Sequence, residues 1–347
     1  MKQAATDKVL IVGPSWVGDM VMAQSLFSYL CDSRPGITID VLAPAWSEAI
    51  LGRMPEVRRA IEMPVGHGKL QLASRYQIAR RLAREDYQQA ILLPNSLKSA
   101  LIPLLAGIPL RTGWRGEFRY GLLNDLRVLD KTALPLMVQR FLALAELEGC
   151  PPTSIPTPKL AVDSAAAQLC KEKFNLDADK NILALCPGAE FGTAKQWPVG
   201  HYAQLARHYI DRGWQVMLLG SENDSAVTSY ITSELQSAQS CIDLAGRTQL
   251  GEVVDLLSLA SAVVSNDSGL MHIAAALDRP LVAIYGATSP SFTPPLSSAA
   301  SAAQIVDLDC SPCFQRECPL QHHRCMRELE PDKIITMIDK RLSNTGV

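Results

Sequence analysis

Short apolar runs alternate with helical patterns along nearly the whole chain, and this alternation constrains the fold more than any other feature. KVLIV (8–12) is followed by a glycine turn and helical spacing, and ITIDVLAP (37–44) reads as a second strand. Residues 68–85 carry helical spacing, and QQAILLPN (88–95) reads as a third strand. A β-then-α order makes a parallel sheet covered by helices. The mostly apolar strand runs fit a sheet buried on both faces. PPTSIPTPKL (151–160) holds four prolines and little that could form an element, so it reads as a semi-rigid joint. Beyond it the alternation restarts. NILALCPGAE (181–190) is a strand and turn, HYAQLARHYIDRG (201–213) a helix with a glycine stop, and WQVMLLGSEND (214–224) another strand and turn. Residues 251–286 then give helix, strand, helix, strand, and PDKIITMIDKRL (331–342) a final helix.

No short repeat is present; what recurs is the architecture. With 347 residues the chain has room for about two domains. The expected units are 1–155 and 160–330, with 331–347 a terminal helix and tail. Two such α/β halves form a cleft, and sheets of this kind bind ligands beyond the carboxyl ends of their strands.

Composition sharpens this. An apolar content of 48 % and a charged content of 20 % suit a folded globular chain. The net charge of −2 hides a split: residues 1–150 carry 18 Lys and Arg against 14 Asp and Glu, and the remainder 15 against 21. Between Lys98 and Arg119 stand four cations, Lys98, Arg111, Arg115 and Arg119, against Glu117 alone. That is either a solvated basic face or a site for an anionic partner such as phosphate. No signal-peptide pattern is visible, and the longest apolar candidate, residues 91–110, is broken by Asn95, Lys98 and three prolines. The expectation is a soluble, cytoplasmic protein, with contact at a membrane surface left open.

The chemistry-bearing residues sit in the turns after strands. GPSWVGDM (13–20) lacks the G-x-G-x-x-G dinucleotide pattern, and Asp19 stands where a P-loop has its lysine, so a triphosphate cradle is excluded. An acid there either stabilises a helix start or serves as a general base at a strand end. In CPGAEFGTAKQWP (186–198), glycines allow close backbone approach while Thr193 and Lys195 offer a hydroxyl and a cation, a set that suits phosphate. In VVSNDSGLMHIAAAL (263–277), Asp267 or Ser268 begins a helix whose first amides, near Gly269, make an anion site. His272 falls one turn on, four residues from Ser268. Asp267 suits sugar hydroxyls better than phosphate, so the constellation points to a ligand with both, such as a nucleotide sugar.

PSWVGDMVMAQSL, PNSLKSALIP, RTGWRGEFRYGLLND, CPGAEFGTAKQWP and NDSGLMHIAAALDRPLVAIYG, in this order over residues 8–300, resemble the ADP-heptose:lipopolysaccharide heptosyltransferases of glycosyltransferase family 9, most of all those of type II. The resemblance implies a GT-B fold, two Rossmann-like domains with the active site between them. It implies inverting transfer of L-glycero-D-manno-heptose from ADP-heptose to the first heptose of the inner core, on heptosyl-Kdo2-lipid A. The first half would bind the acceptor and the second the donor, in agreement with the charge split. Asp19 falls on the general base, and Lys195 on the lysine at the donor diphosphate, with Thr193 beside it. Asp267 matches the acid at the donor sugar, and Ser268, Gly269 and His272 match positions around the diphosphate. Glu222 resembles an acid that holds the adenosine ribose. Ser15, Lys98, Arg115 and Arg119 carry over to the acceptor side. The resemblance further implies peripheral contact at the inner face of the cytoplasmic membrane, no nucleic-acid partner and no cofactor for catalysis. A related GT-B transferase with another nucleotide-sugar donor, and a non-catalytic nucleotide-sugar-binding protein, are the competing readings; a binder needs no base at Asp19.

Of nine cysteines, Cys31, Cys150, Cys170, Cys186 and Cys241 are scattered and read as small core residues or inert thiols. CSPCFQRECPLQHHRC (310–325) instead gathers Cys310, Cys313, Cys318 and Cys325 around two histidines. Its spacing leaves three readings open: a structural zinc or iron site, free thiols, or disulfides.

Overall fold

A computed structural model describes residues 7–64, 70–146, 154–177, 179–235 and 240–345. The start of the expected helix at 68, the first three residues of the proline-rich joint and Cys150 lie outside the described residues. The chain divides into two compact units, Met1–Pro158 and Lys159–Val347.

The first unit is built on β1 (Lys8–Val12), β2 (Thr38–Ala43), β3 (Val57–Glu62), β4 (Gln89–Leu92), β5 (Leu110–Trp114) and β6 (Asp125–Arg127), all parallel. β1 is flanked by β2 and β4, which is why Val9, Leu10 and Ile11 are wholly buried. The second unit repeats the plan with β7 (Ile182–Cys186), β8 (Gln215–Leu218), β9 (Cys241–Asp243), β10 (Ala262–Asn266), β11 (Leu281–Ile284) and β12 (Ala300–Ala303). The GT-B expectation of two parallel α/β units is borne out.

The sheets share one strand order. The first runs β3-β2-β1-β4-β5-β6, and the second, read from β9's opposite edge, runs β12-β11-β10-β7-β8-β9. Counted within each unit, both are 3-2-1-4-5-6, the dinucleotide-fold order. Each sheet therefore has a switch point where successive connections leave in opposite directions, between β1 and β4 in the first unit and between β7 and β10 in the second. Because every strand is parallel, all carboxyl ends of a sheet lie on one edge.

The closing helix, Pro331–Thr345, belongs to the second unit's core. Ile334, Ile338 and Leu342 are buried in one cluster with Leu183, Tyr202 and Tyr209. Tyr209 also donates a 2.9 Å hydrogen bond to Asp339 Oδ1 on this helix, and Trp197 Nε1 donates to Leu329 O just before it.

Candidate functional site

At the second switch point the chain leaves β7 through Pro187 and Gly188, and leaves β10 directly at Asp267. Val264 pairs with Leu185 and Ser265 with Cys186, so the two exits are neighbours. Asn266 ties them together. Its Nδ2 donates to Pro187 O at 2.6 Å, while its Oδ1 accepts from Tyr202 OH at 3.0 Å and from Trp197 N at 3.2 Å. The side chain is wholly buried, and its amide bridges both turns. A Cβ on Gly188 would stand 2.5 Å from Asp224 Oδ2 in the turn after β8, so any larger residue there would displace that carboxylate.

Lys195 ends the short 3₁₀ turn Thr193–Lys195, and its Nζ lies 2.7 Å from Asp267 Oδ2. The same oxygen accepts from Thr288 Oγ1 at 2.6 Å, and Lys195 reaches Asp267 O at 3.3 Å. Asp267 is 5 % exposed, so its charge stands in a low-dielectric setting where the lysine and threonine compensate it. An ammonium carries three donors, and these contacts occupy two. Lys195 also lies 4.9 Å from the centre of the Phe191 ring. Helix Gly269–Ala276 begins immediately after, with Ser268 as its extended N-cap and no side chain capping it. Ser268 Oγ instead meets Ser265 Oγ at 3.1 Å.

His272 is buried in this helix. Burial pushes its imidazole down to about 4, with Asp267 pulling it up and Lys195 pushing it further down. At neutral pH it is therefore an uncharged hydrogen-bonding group. Thr193 is exposed on the turn. Glu222 opens the 3₁₀ turn Glu222–Asp224 after β8 and is also exposed. The second unit thus gathers Lys195, Asp267, Ser268, Gly269 and His272 around one switch point, with Glu222 on the neighbouring strand end. Asn266 and Thr288 are functional neighbours that sequence reasoning missed. The signal for Asn266 was its place in the SNDSG corner; Thr288, in YGATSP, had none.

At the first switch point, Asp19 lies in the first turn of helix Val17–Ser33, and Ser15 is exposed in the turn before it. Lys98 lies in the first turn of helix Leu97–Leu105, which follows β4. Arg115 is exposed just past β5. Arg119 differs from the expectation of a ligand-facing cation. It is 1 % exposed, and its guanidinium donates to Pro94 O at 2.8 Å, to Ser99 Oγ, to Asn95 Oδ1 and to Trp114 O. Its carbonyl partners make it a brace between the loops after β4 and β5.

Cys170, Cys186 and Cys241 are buried, as core residues should be, and burial pushes the last two up to about 12. The four clustered cysteines carry no disulfide. Among the described residues, no three His, Cys, Asp or Glu side chains stand placed to hold a metal ion.

Residues 75–324 match the family model described as glycosyltransferase family 9 (heptosyltransferase). The chain is 47 % identical over 348 residues to lipopolysaccharide heptosyltransferase 2 of Salmonella typhimurium, covering 98 % of this chain and 100 % of the relative. Against the Escherichia coli K12 protein of that description it is 50 % identical over 307 residues, covering 86 % and 88 %. A solved structure of E. coli ADP-heptose LPS heptosyltransferase II superposes with a TM-score of 0.89 at 44 % identity, covering 98 % of this chain and 100 % of that one.

Proposed function

The chain belongs to glycosyltransferase family 9, the heptosyltransferases, and from that membership we propose how its two switch points divide the reaction. The protein is a heptosyltransferase of lipopolysaccharide core synthesis, adding heptose to the inner-core heptose. In our reading the donor is ADP-L-glycero-D-manno-heptose, held by the second unit, and the acceptor is heptosyl-Kdo2-lipid A, held by the first.

The observation that carries the donor assignment is the convergence of Lys195, Asp267, Thr288 and an uncapped helix start at the β7/β10 switch point. Lys195 offers its third N–H, and helix Gly269–Ala276 its first amides, to the diphosphate. Charge grows on that diphosphate as the anomeric bond breaks, and fixed donors of this kind contribute about 3–4 kcal/mol each. His272, neutral at working pH, adds a hydrogen bond rather than a charge. Asp267 accepts from heptose hydroxyls, Thr193 donates beside Lys195, and Glu222 accepts from the ribose. Asp19 removes the proton of the acceptor hydroxyl, which attacks the anomeric carbon from the face opposite ADP and inverts it. Ser15, Lys98 and Arg115 meet the acceptor's polar and anionic groups. No step in this scheme calls for a cofactor.

No helix among the described residues is long and apolar enough to cross a membrane. Contact with the inner membrane surface, where the lipid acceptor resides, is supported by aromatic side chains near the carboxyl ends of β1 and β5. Trp16 is 49 % exposed, Phe118 87 % and Tyr120 62 %, and Arg115 is exposed with them.

The test is incubation with ADP-heptose and the single-heptose acceptor, read as a mass gain of one heptose, for wild type and Asp19→Asn. Loss of a general base lowers kcat by roughly 10²- to 10⁴-fold, with donor affinity held. Unchanged turnover in the variant removes Asp19 from the base role.

A further inference from the structure

Between β12 and the closing helix, residues 304–330 contain only one helical turn, Arg324–Arg327. Loops this long without elements of their own are uncommon in compact domains. Its C-terminal part anchors in the core through Met326 and Leu329, but its middle exposes Phe314 and Leu320. Yet it is packed tightly where it meets the donor turns. Arg316 O accepts from Ala194 N at 3.0 Å, and Phe314 N donates to Ala287 O at 2.7 Å. Ser311 Oγ donates to Gly286 O at 2.8 Å. A Cβ on Gly192 would stand 2.3 Å from Arg316 O, and one on Gly286 2.4 Å from Met326 Sδ and 3.0 Å from Cys325 Sγ. Two glycines therefore make room for this loop, one beside Lys195 and one beside Thr288.

Between this loop and the donor turns is a cavity of about 20 Å³, lined by the four clustered cysteines, His322 and His323 together with Pro319, Leu320 and, from the donor turns, Ala194 and Ala287. That is the volume of a single small occupant such as one water or one ion. A water needs two to four polar partners, and beyond the two histidine rings this lining offers only thiols and apolar groups. The backbone turns tightly here, with Gln321 N donating to Cys318 O at 3.0 Å. His322 is otherwise engaged: its Nδ1 accepts from Arg324 N at 3.1 Å, and its Nε2 is 4.0 Å from Cys310 Sγ.

We propose that this cavity is a structural metal site in which Cys310, Cys313, Cys318 and Cys325 bind one thiophilic divalent ion, zinc or iron, and thereby staple the loop beneath the donor turns. Soft sulfur donors in a set of four select these metals in tetrahedral geometry. The thiols line the cavity without converging on its centre, so binding requires rotation about their Cα–Cβ bonds. Each sulfur that ligates does so as thiolate, and any proton it carried goes to solvent. The staple fixes Arg316 O under Ala194 and Phe314 N against Ala287, and so holds the backbone that presents Lys195 and Thr288. This positioning role rests on the donor reading; the metal site does not.

The test uses the full chain without a histidine tag, purified under reducing conditions, with metal analysis, thiol titration and cobalt replacement. We expect about one zinc or iron per chain. Four of the nine thiols stay unreactive until a chelator removes the ion, and cobalt gives the sulfur-to-metal charge-transfer band of a tetrathiolate. Cys313→Ser and Cys318→Ser lose the metal, while Cys31→Ser in the first unit keeps it. Less than about a fifth of an equivalent, both as isolated and after anaerobic loading of the stripped protein with zinc or ferrous iron, overturns the site. So does equal loss in Cys31→Ser. Because the wild-type measurements stand alone, misfolding of a variant does not rescue the idea. Removal of the ion should weaken ADP-heptose binding several-fold with a smaller change in kcat; unchanged donor affinity with the ion fully removed refutes the staple.

Discussion

His272 supplies a stability prediction that can be worked through. Its imidazole is pushed down to about 4 by burial, against an ordinary 6.5, with Asp267 opposing and Lys195 reinforcing the shift. The folded state therefore refuses a proton that the unfolded chain takes up between those two values. The sign follows: the contribution is fully present above pH 6.5, declines as pH falls through the window, and is gone below about 4. A gap of about 2.5 pH units is worth about 3 kcal/mol in total, and about 2 kcal/mol of that is lost by pH 5. Urea unfolding followed by circular dichroism at pH 7.5, 6 and 5, on wild type and His272→Gln, isolates the term. Any constant packing cost of the substitution cancels, because the readout is how the stability difference changes with pH. The wild type should lose about 2 kcal/mol more than the variant between pH 7.5 and 5. A difference that stays flat across this range would refute the burial argument. It would also make His272 available as a cation beside the donor diphosphate, which the present reading denies.

Three further outcomes follow from the same region and its support. Lys195→Met leaves the buried Asp267 carboxylate with Thr288 alone, and should cost about 3–5 kcal/mol of stability; Lys195→Met/Asp267→Asn should recover most of it, which a double-mutant cycle by chemical denaturation checks. Asn266→Ala removes the partner of Trp197 N and Pro187 O and leaves Tyr202 OH only Cys186 O at 3.5 Å; it should cost about 2–3 kcal/mol while raising KM for ADP-heptose more than it lowers kcat in steady-state assays. Ile338→Ala empties part of the second unit's core, so thermal unfolding should show a loss of about 2–5 kcal/mol with donor KM unchanged.

The central strands were legible because β1, β4, β7 and β10 are buried on both faces and read as plain apolar runs. The edges were not. β3 carries Arg58, Arg59 and Glu62 on an outer strand, where exposure removes the need for apolar residues. β6 and β9 are three residues long, too short for any period, and β12 is ASAA, whose small residues carry no strand preference. Helix Leu97–Leu105 hid behind Pro103 in its interior. In the site, the strand-end positions of Lys195, Asp267 and His272 were visible from motif and turn chemistry. Their pairing was not, since Lys195 and Asp267 lie 72 residues apart and only the sheet brings them together. Arg119 misled because sequence shows a cation but not its burial; the carbonyls that consume its N–H groups are those of Pro94, 25 residues upstream, and Trp114, five residues back.

The shared 3-2-1-4-5-6 order explains why the chemistry falls where it does in the second unit. At a switch point two paired strands end side by side, and their chains must turn away in opposite directions, which opens a crevice lined by backbone. Such a crevice is useful only if its walls are held apart at a fixed spacing. Asn266 does this by bonding across it to Pro187, Tyr202 and Trp197, and it sits at the last residue of β10, where the walls part. The turn that Trp197 anchors is the one that carries Lys195, so the same strap sets the reach from Lys195 to Asp267. An alanine at 266 leaves every group that would touch the donor in place and removes only their spacing. If the crevice is what binds, donor affinity must fall in that variant although no donor contact has been deleted.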